Sequence, residues 1–82
     1  MITTEAVGHQ VATNIMLNIT ASGMTRKAIY TRSNMSRDTF DRRLNHGESF
    51  TIGELVRLSE ALRIPLSSLV APLTAEAERD AA

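Results

Sequence analysis

Cationic side chains are concentrated between Thr25 and Leu44. This segment contains six Lys or Arg residues and two acids, so it carries a formal charge of +4 although the whole chain is neutral: Arg26, Lys27, Arg32, Arg37, Arg42 and Arg43 against Asp38 and Asp41. A guanidinium can donate paired hydrogen bonds to a phosphate or to guanine O6 and N7. The segment therefore indicates recognition of an anionic or base-edge ligand, and a merely solvated helix face is the alternative.

Chemistry of other kinds has little support in the sequence. The chain has no cysteine, which excludes disulfides and thiolate metal sites. His9 and His46 lack metal-ligand spacing, and we find no nucleophile motif, glycine-rich phosphate loop or paired carboxylates. No signal peptide or membrane-spanning apolar run is present. We therefore expect a cytoplasmic protein that is not an enzyme and has no cofactor, metal, small-molecule ligand or membrane partner.

The segment before the basic region has the periodicity of a helix. At 82 residues the chain is long enough for one core only. Four apolar residues recur every four positions, namely Val7, Val11, Ile15 and Ile19. This spacing predicts a helix over residues 4–22, which Gly23 ends.

Three further helix starts share one local pattern: an apolar residue, a Ser or Thr, and a second apolar residue five positions after the first. The instances are Met24-Thr25-Ile29, Met35-Ser36-Phe40 and Phe50-Thr51-Leu55. This hydrophobic staple predicts helices over residues 25–33, 36–45 and 51–62, and Glu54 completes a capping box in the last of them. Pro65 occupies the cap position of a weaker fourth start, which predicts a short helix over residues 66–70.

These elements predict an all-α domain of five helices over residues 1–73, followed by a tail over residues 74–82. Only Asn34 and Met35 separate the second and third helices, and Asn34 can adopt the left-handed conformation that a tight turn needs. Two short helices joined in this way, with cations on the second, are typical of a helix-turn-helix that places its second helix in the major groove.

The segment GMTRKAIYTRSNMSRDTF, from Gly23 to Phe40, resembles the helix-turn-helix of the XRE family, which includes phage Cro proteins and repressors. The likeness continues in RRLN, FTIGEL and LSEALRIPL, the segments over residues 42–45, 50–55 and 58–66. The chain departs from the family at Tyr30, where Ala is usual, at Asn34, where Gly is usual, and in a longer loop at His46. The resemblance implies a lambda-repressor-like fold and a homodimer that binds a double-stranded operator to repress transcription, of phage or bacterial origin.

Candidate site residues follow from the helical period. If Phe40 and Leu44 face the core, Asp38 and Arg42 lie on the opposite face. We predict base reading by Arg37, Asp38, Asp41 and Arg42, in which the acids either accept from cytosine N4 or, more favourably, orient a guanidinium of Arg37 or Arg42. We predict phosphate contacts from eight residues around the helix starts and the end of the third helix: Thr25, Arg26, Lys27, Ser36, Thr39, Arg43, Asn45 and His46.

Two alternatives stay open at this point. The fold also suits a protein-binding module, such as an antitoxin or adaptor, that binds its partner through the last two helices and the acidic tail. The apolar residues Leu66, Leu69, Val70 and Leu73 have two alternative roles that the sequence does not distinguish: a contact between subunits, or closure of the core.

Overall fold

The computed structural model describes residues 3–71 and is all-helical over that range. Its elements are α1 Thr4–Ser22, α2 Arg26–Arg32, α3 Arg37–Asn45, a 3₁₀ turn Gly47–Ser49, α4 Ile52–Leu62 and α5 Ser67–Val70. The predicted all-α class is confirmed, and each of the five helices lies within one residue of its predicted bounds. The Gly47–Ser49 turn was expected only as a loop. No helix among residues 3–71 is both long and apolar enough to cross a bilayer.

The helix starts are set locally by hydroxyl caps. The side chains of Thr25, Ser36 and Thr51 each accept a hydrogen bond from the backbone N–H three residues further on, at 3.0–3.1 Å. Such a cap contributes about 1 kcal/mol. The three predicted caps and the capping box with Glu54 are confirmed. The N-cap of α5 is Leu66, one residue after the predicted cap position at Pro65, and no side chain caps this helix.

Three residues with positive φ reverse the chain between helices. Gly23 ends α1 at φ 73°, as predicted, and Asn34 adopts φ 57° in the turn between α2 and α3, also as predicted. Arg63 takes the same left-handed conformation after α4, at φ 57°, which no sequence signal indicated.

The core contains residues of every α-helix. Three of the four apolar residues that predicted α1, Val11, Ile15 and Ile19, are buried, whereas Val7 is 41% exposed. Val7 lies instead at the rim of a surface groove. The remaining buried apolar residues come from the four later α-helices and from two connecting segments: Ile29, Met35, Phe40, Phe50, Leu58, Leu62 and Leu69.

The apolar residues expected at a subunit contact divide between core and surface. Leu69 is fully buried and closes the core, whereas Leu66 and Val70 are 38% and 48% exposed. Leu73 and the predicted tail over residues 74–82 lie outside the described residues. Only part of the set is therefore available to a partner.

Two contacts position α1 against the chain that follows α3. The backbone of Gly8 lies directly against Gly47, because a Cβ on Gly47 would overlap the Gly8 carbonyl and a Cβ on Gly8 would overlap the backbone of Glu48. Asn14 is buried, and its Nδ2 donates to the carbonyl oxygens of Leu69 at 3.0 Å and Ala71 at 2.8 Å. These contacts fix both the end of α3 and the end of α5 to the long helix.

Candidate nucleic-acid interface

The turn between α2 and α3 is held at both ends. Met35 N–H donates to the Tyr30 carbonyl at 2.8 Å, which closes the turn onto α2. Arg57 of α4 donates through Nε to the Ser33 carbonyl at 2.8 Å, which ties the turn to the core. Tyr30 also packs its ring on Phe40, with centroids 5.9 Å apart, so the bulky residue contributes to the α2–α3 contact. The start of α3 is therefore fixed relative to the rest of the domain.

The face of α3 opposite the core is open to solvent. Phe40 is fully buried and Leu44 packs on the core, as assumed for the prediction. On the other face Asp38, Arg42 and Asn45 are exposed. Arg37, at the tip of the helix, has a side chain that is 78% exposed. The helical period thus places these four polar side chains where an external ligand could reach them.

A concavity of about 340 Å³ lies between the starts of α2 and α3, and we call it the cationic cleft. Its lining consists of three cations, one acid and one aromatic ring: Arg26, Lys27, Arg37, Asp41 and Tyr30. The structure thereby brings together two residues predicted to contact phosphate and two predicted to read bases. Tyr30 was missed as a member, although it lies one turn after Arg26 on the same helix face.

Asp41 joins the two arginines of the cationic cleft. Its Oδ1 is 3.7 Å from Nη1 of Arg26, and its Oδ2 is 3.7 Å from Nε of Arg37. Arg26 also directs Nη2 to the sulfur of Met16 at 3.6 Å, so its guanidinium contacts α1 as well. Asp41 therefore lies where it can orient Arg37, one of the two arginines considered for that role, and Arg26 is a second partner that was not expected.

The cations of the cleft lie at helix N-termini, where the positive end of the helix dipole disfavours them. Arg26 and Lys27 open α2, whose first turn contains no acid, and Arg37 opens α3. The positive end of a helix dipole disfavours nearby cations by about 0.3–1 kcal/mol each. An anion bound in the cleft would reverse this penalty, because it would be attracted by the side chains and by the helix ends together.

Two of the three hydroxyl residues predicted to contact phosphate, Thr25 and Ser36, act as helix caps. Thr25 Oγ1 accepts from the Ala28 N–H at 3.1 Å, and Ser36 Oγ accepts from the backbone N–H of Thr39. Ser36 Oγ also donates to the hydroxyl of Thr39, the third residue, at 2.9 Å. The hydroxyl groups of Thr25 and Thr39 thus act as acceptors, which leaves their hydrogens able to donate to a ligand.

Arg43 differs from the other arginines of α3, because its Nε lies 3.1 Å from Oε1 of Glu54 and its side chain is only 25% exposed. Glu54 also accepts the Thr51 backbone N–H at 2.9 Å. Burial alone would raise the pKa of Glu54, but the Thr51 hydrogen bond and the Arg43 charge outweigh burial and hold that pKa below its ordinary value. Arg43 is thus placed at the α3–α4 junction and not in the cationic cleft.

His46 lies at the far end of α3 from the cleft. Its side chain is 71% exposed, and its Nδ1 is 3.7 Å from Oε1 of Glu48. Across residues 3–71, no three His, Cys, Asp or Glu side chains come together as a set of metal ligands.

No protein-family model matches the chain, and comparison with curated proteins and with solved structures gives no significant match.

Proposed function

We propose that the chain is a sequence-specific double-stranded DNA-binding regulator of transcription, in which α2 and α3 act as a helix-turn-helix and α3 reads the major groove. The observation that carries the proposal is the convergence of Arg26, Lys27 and Arg37 on one cleft beside the exposed face of α3. A cleft of about 340 Å³ with three cations suits a backbone phosphate, and the adjoining face suits base edges.

The two parts of the interface have different tasks. Arg37 and Arg42 project from α3 and can pair with guanine, which gives about 1–3 kcal/mol of discrimination each. Arg26 and Lys27 lie on α2 beside them and can bind the backbone, which adds affinity without sequence preference. The fold is then of the lambda-repressor-like type, as the resemblance to the XRE family implies.

The proposal includes a homodimer that represses transcription in the cytoplasm of a bacterial or phage-infected cell. A module of this size reads only a few base pairs, so useful affinity comes from two copies on half-sites one helical turn apart. The exposed apolar side chains of Leu66 and Val70 are available for contact between the two copies.

Selection of bound sequences from a random duplex pool tests the proposal. Wild type should enrich a paired half-site. Arg42→Ala should lose preference at one base position, whereas Arg26→Ala should weaken binding to all sequences and reduce the salt slope by about 1. Arg63→Ala is the matched control, because it removes an exposed cation that does not line the cleft. Failure of wild type to enrich any sequence would contradict the proposal.

A protein-binding role, as in an antitoxin or adaptor, is the second candidate. A groove of about 390 Å³ lies between α1, the Gly47–Ser49 turn, α4 and α5, and its lining is mainly apolar, including Val7, Phe50, Leu55 and Val70. It shares no lining residue with the cationic cleft. A partner lost on Val70→Glu, together with no sequence enrichment by wild type, would favour this role.

A further inference from the structure

We propose that Asp41 determines specificity in the cationic cleft, where it occupies the place of a phosphate between Arg26 and Arg37 until the correct duplex binds. This inference rests on the proposed function and assigns the acid a role of its own. The carboxylate orients Arg37 toward the bases and, at the same time, makes the cleft less attractive to the backbone of every duplex, so that binding depends more on the contact of Arg37 with a base.

The geometry of the carboxylate supports this role. One oxygen of Asp41 pairs with Arg26 of α2, and the other pairs with Arg37 of α3. The side chain of Asp41 is 42% exposed, and those of Arg26 and Arg37 are 54% and 78% exposed. Pairs this open exchange readily with solvent or with another anion. A phosphate can therefore take Arg26 from Asp41 without disturbing the fold.

The order of charges along α3 indicates that the ion pair of Arg37 with Asp41 contributes little to the stability of the helix. Arg37 precedes Asp41 by four residues, which is the less favourable order for an ion pair on a helix. Arg37 also lies at the helix start, where the dipole disfavours a cation. An arrangement selected for helix stability would place the acid first, so orientation of the guanidinium explains the order better.

Asp41 also supplies the repulsive element that specificity requires. With it, the net charge of the cleft lining is +2, and without it +3. A phosphate entering the cleft meets the carboxylate on every duplex, correct or not. The repulsion lowers binding to every duplex alike. Discrimination arises because the orientation of Arg37 strengthens binding only to a duplex with a suitable base, so the two effects together lower binding to other sequences more than binding to the correct one.

Glu60 provides the control for Asp41. It is an exposed acid of α4, forms no ion pair among residues 3–71 and does not line the cleft. Glu60→Gln and Asp41→Asn change the net charge of the chain equally. A difference between the two variants therefore reports the position of the acid and not the overall charge.

The test is a fluorescence titration of wild type, Asp41→Asn and Glu60→Gln with the selected duplex and with a scrambled duplex. For Asp41→Asn, we expect tighter binding to the scrambled duplex and a ratio of the two affinities that falls at least about fivefold, which is the lower range for one oriented arginine contact to guanine. For Glu60→Gln, we expect both affinities to change together and the ratio to stay constant. Unfolding midpoints measured alongside should be alike for all three proteins.

A second arm tests whether Asp41 acts through Arg37. In an Arg37→Ala background, Asp41→Asn should leave the affinity ratio unchanged, which a general structural effect would not produce. An unchanged ratio for Asp41→Asn alone, or equal changes in the ratio for Asp41→Asn and Glu60→Gln, would overturn the inference while the proposed function stands. Absence of any preference in wild type would instead overturn the proposed function, and this inference with it.

Discussion

Two acids hold arginines of α3, and their surroundings differ sharply. In the cationic cleft, Asp41 lies 3.7 Å from Arg37 and its side chain is 42% exposed. At the α3–α4 junction, Glu54 lies 3.1 Å from Arg43 and its side chain is 9% exposed. Glu54 also belongs to the capping box of α4, whereas the only partners of Asp41 among residues 3–71 are the two arginines.

This difference separates the part of α3 that holds the fold from the part that is free for a ligand. An exposed ion pair contributes about 0–1 kcal/mol, so the arginines around Asp41 can change partners at little cost. Removing one member of a buried pair costs about 3–5 kcal/mol, so Arg43 stays with Glu54. One helix therefore carries a fixed arginine and an exchangeable one, six residues apart in the chain.

The largest effect is expected on the fixed side, from Gly47→Ala. Its Cβ would overlap the Gly8 carbonyl, and a backbone atom cannot move aside as a flexible side chain does. We expect a loss of about 3 kcal/mol in the free energy of unfolding, measured by urea denaturation followed by circular dichroism. Gly53→Ala is the control, because its Cβ would meet nothing closer than Nη1 of Arg57 at 3.6 Å and should stabilise α4. Equal effects of the two substitutions would show that the Gly8–Gly47 contact is not tight.

Glu54→Gln tests the comparison between the acids directly. It leaves Arg43 without its counter-charge and weakens the capping box, so we expect a loss of about 2 kcal/mol, below the fully buried case because Arg43 is 25% exposed. Asp41→Asn should change the free energy of unfolding by less than about 0.5 kcal/mol. Urea denaturation of both variants gives the two values, and similar losses would mean that the acids do not differ in role.

The pH dependence of stability should reflect the buried ion pair of Glu54 with Arg43. The pKa of Glu54 is lowered in the folded chain, so this group stabilises the fold fully above the pKa of an unfolded glutamate, about 4.3. Its contribution is lost as the pH falls through the lowered folded pKa. Unfolding measured between about pH 6 and pH 3 should therefore show a stability loss below about pH 4.3 that is smaller in Glu54→Gln than in wild type. Parallel curves for the two proteins would contradict this assignment.

The features that could be predicted from the sequence are those set by neighbours in the chain. The caps at Thr25, Ser36 and Thr51 depend on residues three positions apart, and the left-handed Asn34 depends on its own side chain, so both were found. The outward face of α3 followed from the helical period once Phe40 was assigned to the core.

The features that were missed depend on contacts between distant parts of the chain. The Gly8–Gly47 contact joins α1 to the turn after α3, and nothing near either glycine indicates the other. The pairing of Arg43 with Glu54 requires the packing of two helices, so a basic residue on α3 was expected to face the ligand. The amide of Asn14 holds the end of α5 through residues 55 and 57 positions later in the chain, and no local pattern indicates those contacts.

The smallest effect is expected beside the cleft, at Ser33. Its hydroxyl is buried and has no hydrogen-bond partner among residues 3–71, although its carbonyl accepts from Arg57. Ser33→Ala should be neutral or stabilising by up to about 1 kcal/mol, because an unpaired buried hydroxyl is removed. Ser59→Ala is the counterpart in α4, since that buried hydroxyl donates to the Val56 carbonyl at 2.7 Å and its removal should cost about 1 kcal/mol. Equal losses in urea denaturation would mean that the Ser33 hydroxyl has a partner after all, and that the turn before α3 is held as firmly as α4.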